Sequence, residues 1–182
     1  MKKVVLAVGV SLLLAGCGDI SKGDIEDAIN AKINQSDICY SLQDNNVSFP
    51  VRVNAGFNIG GLSNSDAILK GLQNQGLLAI SQDTSGWSRV NVLQLTEKGQ
   101  DVSFWDKTKG VCVGHKAVDE VKVWTEPNDG GAQKMTQVTY TWKLDGIPGW
   151  VDKKAFADVK GISEPQEARI MLVKTNKGWQ AM

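Results

Sequence analysis

The sequence predicts an α+β fold, in which N-terminal helices precede a C-terminal antiparallel sheet. Two observations predict it. In the first half, apolar residues recur at helical spacing around Ile29 and again around Leu69. In the second half, Val138, Tyr140 and Trp142 alternate with polar residues, which is the period of a half-buried strand.

The first helix is predicted over residues 22–34. Ser21 and Asp24 have the spacing of a capping box, in which each residue satisfies a backbone N–H of the other. Apolar residues then alternate with polar ones over residues 47–53, which predicts a strand. Pro50 lies within this run and lacks a backbone donor, so the strand is expected at the edge of a sheet.

The segment from 64 to 100 has a distinctive order of elements. A second helix begins near Ser65, and Gly76 follows it as the expected left-handed residue at its end. The strand at residues 77–80, the polar turn at 81–88 and the returning strand at 90–95 form a hairpin. The unit closes with Leu-Thr-Glu-Lys-Gly at residues 95–99.

This order resembles a winged helix, as found in many bacterial transcription regulators. The resemblance implies a winged-helix-like hairpin, and in those regulators a helix in the major groove and a basic wing bind DNA. Here the candidate helix carries only Lys70 and the wing only Arg89. So few basic residues, together with the N-terminal export signal described below, predict no nucleic-acid partner.

The second half is predicted to be mostly strands. The Pro-Asn-Asp-Gly-Gly run at residues 127–131 predicts a turn, and a short helix is predicted over residues 153–159. Residues 170–179 have the pattern of a final hairpin around Asn-Lys-Gly.

The N-terminal segment has the features of a secretory signal. Lys2 and Lys3 precede an apolar run over residues 4–14, and small residues follow it. The run is too short to cross a bilayer as a helix, since that takes about 20 apolar residues.

Leu14, Ala15, Gly16 and Cys17 resemble the lipobox of bacterial lipoproteins. The resemblance implies cleavage before Cys17, a diacylglycerol on its thiol and an acyl chain such as palmitate on its amino group. Two or more acyl chains make a stable membrane anchor. Gly18 stands where Asp favours inner-membrane retention in that family, so the outer membrane, facing the periplasm, is expected.

The predicted organisation follows from these boundaries. Residues 1–16 are the signal peptide and residues 17–23 a lipidated tether. Residues 24–106 form the winged-helix-like half and residues 107–182 the β-rich half, with one single domain over 24–182 as the alternative. The whole chain has 20 basic and 20 acidic residues. Loss of Lys2 and Lys3 leaves a formal charge of about −2, which again argues against nucleic acid.

Cys39 and Cys112 remain once Cys17 is lipidated. An even pair in an oxidising compartment favours a disulfide, which closes a loop of about 73 residues and contributes roughly 4 kcal/mol. Two alternatives stay open: two reduced thiols, or a metal site that uses the C-x-x-H of Cys112 and His115. No local cluster supplies the further ligands for that site.

The sequence carries no catalytic motif, and we predict that the protein is not an enzyme and holds no cofactor. A G-x-S-x-G elbow is missing, and His115 is the single histidine. The nearest carboxylate pairs, Asp119 with Glu120 and Glu164 with Glu167, lack the arrangement of a glycosidase site.

Two tryptophans in glycine-bearing turns are the candidate partner contacts. Trp87, with its neighbour Arg89, lies in the hairpin turn, and Trp150 follows Gly-Ile-Pro-Gly. Tryptophan and arginine are enriched in interface hot spots. The predicted function is a membrane-anchored envelope lipoprotein whose non-catalytic periplasmic domain binds another protein. A peptidoglycan-processing enzyme and a structural accessory of an envelope complex are the alternatives.

Overall fold

The computed structural model describes residues 20–41, 48–54, 59–62, 64–84, 90–129 and 133–182 of the chain. In chain order the elements are α1 (Lys22–Ile33), β1 (Asp37–Tyr40), β2 (Val51–Asn54), α2 (Ser65–Asn74), β3 (Leu78–Asp83), β4 (Val90–Leu95), α3 (Glu97–Asp101), β5 (Trp105–Asp106), β6 (Gly110–Trp124), β7 (Asn128–Asp129), β8 (Lys134–Asp145), β9 (Gln166–Thr175) and β10 (Gly178–Ala181). Among the described residues, 46% lie in strands and 19% in helices.

The predicted fold class is wrong. An α+β fold with N-terminal helices, a winged-helix-like hairpin and a C-terminal sheet was expected, but a curled antiparallel sheet dominates and the described residues form only three helices. Strands β1 to β5 all begin in the half where helices were expected to dominate; strands were predicted there near β2, β3 and β4, but not at β1 and β5. These two have four and two residues, which is too short for a clear period of two. Residues 153–158 form turns and not the expected helix.

The strands form two sheets. The larger has seven strands in the order β1-β6-β8-β9-β10, with β5 also paired to β6 and β7 to β8. The smaller has the order β2-β4-β3. All the pairs are antiparallel, and in the large sheet Val138 of β8 lies opposite Ile170 of β9.

Helix α1 covers one part of the large sheet. The Ser21 hydroxyl accepts a hydrogen bond from the backbone N–H of Asp24 at 3.1 Å, and the Ser21 N–H donates to the Asp24 carboxylate at 3.0 Å. This capping box begins the helix at Lys22. We call the apolar layer beneath it the α1 cluster; it consists of Ile20, Ile25, Ala28, Ile29, Val121, Val138, Tyr140 and Leu172.

A second layer, which we call the main cluster, lies at the other end of β6 and β8. It joins α2 and the small sheet to the segment after β8. Its members are Val53, Ile59, Leu62, Ile68, Leu69, Leu72, Leu77, Leu78, Leu93, Phe104, Val111, Val113, Leu144, Ala155, Phe156, Val159 and Ile162. Trp142 packs against both clusters.

The segment after β8 is tied closely to that strand. The Leu144 N–H donates to the carbonyl oxygen of Gly161 at 2.8 Å. Gly161 has φ +81°, and a Cβ there would lie 2.6 Å from the Trp142 ring. Glycine is required at this position by both its conformation and the close approach of the indole. The segment therefore stays against β8 and carries Phe156 into the main cluster.

Candidate protein-binding cleft

The predicted site residues divide into two groups. Cys17, Trp87 and Arg89 lie outside the residues that the structure describes. The cysteine pair and Trp150 lie within them, and both occur at the end of the large sheet where β6 begins and β8 ends.

The predicted disulfide is confirmed. Cys39 on β1 and Cys112 on β6 lie opposite each other in the strand register and are bonded. The bridge therefore joins the short strand β1 to the longest strand of the sheet. It also removes Cys112 from any metal site with His115. The described residues hold no group of three or more His, Cys, Asp or Glu side chains placed to bind a metal ion.

Trp150 is held by two phenylalanines of the main cluster. Its ring meets Phe104 edge-on, with centroids 5.7 Å apart, and Phe156 likewise, with centroids 6.1 Å apart. The Gln75 side chain donates to the Trp150 carbonyl oxygen at 2.8 Å. The indole is half-buried, so its position is fixed by packing while part of it faces solvent.

Trp150 lines an open cleft of about 580 Å³, which we call the Trp150 cleft. Its walls are Asp37, Val102, Ser103, Cys112, Gly114, Gly146, Pro148, Gly149 and Trp150. Val102 remains 41% exposed, although it is apolar. A Cβ built on Gly149 would meet no atom within 4 Å. The cleft thus offers a fixed aromatic side chain, an exposed apolar residue and free space between them.

A second cleft also adjoins the disulfide. It measures about 480 Å³, and its lining residues are Asn34, Gln35, Ser36, Asp37, Cys39, Ser41, Thr108 and Lys109. Asp37 lines both clefts, and each cleft contacts one cysteine of the bridge. The two clefts therefore lie close to each other at the disulfide; the lining residues of the smaller cleft are mostly polar, and the larger cleft contains the tryptophan.

The carboxylates named for a glycosidase lie elsewhere: Asp119 and Glu120 are on strand β6, Glu167 is on β9, and Glu164 lies just before β9. The Lys143 ammonium donates to Asp119 at 2.9 Å, and this hydrogen bond lowers the pKa of the Asp119 carboxyl. Glu120 pairs with Lys122. A glycosidase general acid needs a raised pKa so that it stays protonated. The pKa of Asp119 is lowered instead, which does not suit a general acid.

A hydrolase would need a nucleophile that is hydrogen-bonded to a base. Near the Trp150 cleft, no hydrogen bond among the described residues joins the Ser103 hydroxyl to the His115 ring. Ser103 has φ +50°, and its hydroxyl donates to the Gln100 carbonyl oxygen at 3.4 Å. The His115 ring lies against Gly146. Its strand neighbours are Asp37 on β1 and Asp145 on β8.

Sequence reasoning missed most of the cleft. Trp150 was identified from its glycine-bearing turn, but Val102 and Phe104 come from a distant part of the chain. Phe156 was assigned to a helix that the structure does not contain.

Comparison of the chain with protein-family models, with curated proteins and with solved structures found no significant match. None of the helices formed by the described residues has both the length and the hydrophobicity of a membrane span.

Proposed function

We propose that this chain is a lipid-anchored protein of the bacterial envelope whose non-catalytic periplasmic domain binds another protein through the Trp150 cleft. One observation carries the binding proposal: an indole held by two phenylalanines faces an open cleft of about 580 Å³. Rigid aromatic side chains lose little entropy on binding and dominate the affinity of many interfaces. The exposed Val102 adds an apolar contact on the same wall.

The anchor is proposed from the lipobox-like residues 14–17, and the outer membrane from Gly18. Cys17→Ser removes the thiol that would carry the diacylglycerol. We expect the variant to leave the membrane fraction as a soluble protein or to accumulate as an uncleaved precursor. Fractionation and the mass of the product measure this, and a mature, membrane-bound variant would contradict the anchor.

The cleft is tested by two matched substitutions. Val102→Glu places a charge inside the Trp150 cleft, whereas Val123→Glu places the same charge on β6, at a site that is 60% exposed and outside the residues lining the cleft. We expect Val102→Glu to reduce the yield of the protein that co-purifies from solubilised membranes at least tenfold, because a buried unpaired charge is costly. Val123→Glu should keep the wild-type yield.

A second variant separates loss of binding from loss of folding. Gly149→Glu projects a charged side chain from a position where a Cβ meets no atom within 4 Å and where the backbone does not have a positive φ. Its thermal midpoint should therefore stay near that of the wild type while the co-purified yield falls. If both cleft variants fold and retain the full yield, the cleft is not the binding site. Hydrolysis of peptidoglycan by the purified wild type would favour the enzymatic alternative.

A further inference from the structure

The part of the domain that the structure describes begins very close in the sequence to the proposed anchor. Ile20 is only 8% exposed and belongs to the α1 cluster. The next residue, Ser21, accepts a backbone hydrogen bond from Ile25 at 3.1 Å and caps α1. Only Gly18 and Asp19 separate Ile20 from Cys17 in the sequence. Three residues span at most about 11 Å, so a lipid on Cys17 would hold Ile20 within that distance of the membrane surface.

The start of α1 lies at one identifiable end of the large sheet. Asn30, in the second half of α1, accepts a hydrogen bond from the Val118 N–H of β6 at 2.8 Å, and the residues after α1 lead into β1 beside the start of β6, so the first turn of α1 lies toward the other end of the sheet. The pKa of Asp24 is lowered mainly by hydrogen bonds from Ser21, and also by the nearby charge of Lys174 at the end of β9. The turn between β9 and β10 follows directly. Strand β8 begins at this same end, since its Met135 lies opposite Val173 of β9. Lys22, Lys174 and Lys177 are all exposed here.

The Trp150 cleft lies at the opposite end of the same strands. Its lining residues Cys112 and Gly146 stand at the start of β6 and just beyond the end of β8. Strand β8 has 12 residues, which corresponds to roughly 36 Å at about 3.3 Å per residue. The curl of the sheet shortens this span but does not exchange its two ends.

We infer that the domain stands on the membrane on the end formed by the start of α1 and the β9–β10 turn, with the Trp150 cleft directed away from the bilayer. The inference rests on the proposed lipid at Cys17. The surface that faces the phospholipid headgroups is polar, and its three lysines can donate to lipid phosphates. The carboxylates of Asp24 and Glu26 lie beside these lysines and offset part of their positive charge. The short tether therefore sets the orientation more than the net charge of this surface does.

The orientation also defines the class of partner. A cleft on the far end is accessible to a soluble periplasmic protein or to a domain that extends into the periplasm. A segment embedded in the same leaflet as the anchor would have to reach along the full length of β8. The partner of the Trp150 cleft is therefore approached from the aqueous side.

Energy transfer to the membrane surface tests the orientation. The lipidated protein is placed in vesicles of phosphatidylethanolamine and phosphatidylglycerol that contain an acceptor-labelled headgroup lipid. A donor is attached at Lys177→Cys in one variant and at Lys109→Cys in the other. Both positions are exposed, and Lys109 lies in the turn before β6, at the end with the cleft. The native cysteines are unreactive because they are bridged. We expect transfer from position 177 to be several-fold more efficient than from position 109.

A longer tether is the matched control. A 20-residue Gly/Ser insertion between Asp19 and Ile20 keeps the lipid but allows the domain about 25 Å of movement, so the difference between the two positions should shrink. Equal transfer from both positions without the insertion overturns the orientation while leaving the anchor intact. A difference that the insertion does not change overturns the role of the tether. Failure of the protein to sediment with vesicles overturns the proposed anchor, and the orientation with it.

Discussion

Replacing both Cys39 and Cys112 with alanine is expected to lower the free energy of unfolding by about 4 kcal/mol. The bridge closes a loop with a sequence separation of 73 residues, and without it the unfolded chain gains the corresponding entropy. In the folded state the four-residue strand β1 would be held to β6 by backbone hydrogen bonds and a few side chains. Urea unfolding of the variant and of the oxidised wild type measures the difference.

Two controls belong to this experiment. The wild-type cysteines should resist alkylation until a reductant is added, and the reduced wild type should unfold at nearly the same urea concentration as the double variant. Because Asp37 on β1 lines the Trp150 cleft, co-purification of the partner should also decline. An unfolding free energy equal to that of the oxidised wild type would show that the bridge does not stabilise the domain.

Replacing Phe156 with alanine is expected to cost about 3–5 kcal/mol. Its side chain is only 2% exposed, so the substitution leaves a cavity in the main cluster in addition to the lost transfer free energy. The ring also supports Trp150 from one side, with centroids 6.1 Å apart. The indole would then lose one of its two phenylalanine contacts, and the cleft would lose part of its fixed geometry.

Phe156→Leu is the conservative control, because it keeps an apolar side chain and most of the volume. We expect it to lose much less stability than the alanine variant. Chemical denaturation gives both values, and the fluorescence spectrum in the native state reports how far the tryptophan environment has changed. A loss below about 1 kcal/mol for Phe156→Ala would mean that the segment after β8 closes the cavity or does not pack as described.

Local signals in the sequence located individual elements well. The capping box of Ser21 and Asp24 begins α1 at Lys22, as its spacing predicted. The alternation around Tyr140 falls within β8, and Pro50 precedes β2, which pairs only with β4 among the described strands. Each of these signals depends on residues a few positions apart, whose geometry is set by the backbone of one element.

The fold class depended on pairings that such signals do not contain. Strand β6 has register shifts between Val118 and Glu120 and between Val121 and Val123. Val118 and Val121 therefore both pack against the α1 cluster although they are three residues apart. A bulge of this kind breaks the period of two that identifies a strand. Strands were expected in this half of the chain, but the bulges of β6 obscured its length and its pairing.

Most of the cleft could not be predicted from the sequence, for a related reason. The Gly-Ile-Pro-Gly turn singled out Trp150, but nothing near it in the sequence indicates that Phe104 supports the ring. Phe104 precedes it by 46 positions and reaches it through the packing of the main cluster. Disulfide pairing was easier to predict, because elimination of Cys17 left only one possible partner for each cysteine.

The two hydrophobic clusters share strands β6 and β8, and this arrangement bears on how the chain folds. The α1 cluster combines a helix from the start of the chain with strands from its second half, and the main cluster combines α2 and the small sheet with Val111, Leu144 and Phe156. Each apolar cluster is therefore built from residues of both halves of the chain, and neither half contains a complete apolar core. The polypeptide is therefore expected to behave as one cooperative folding unit, in which neither half acquires native structure until both have been synthesised.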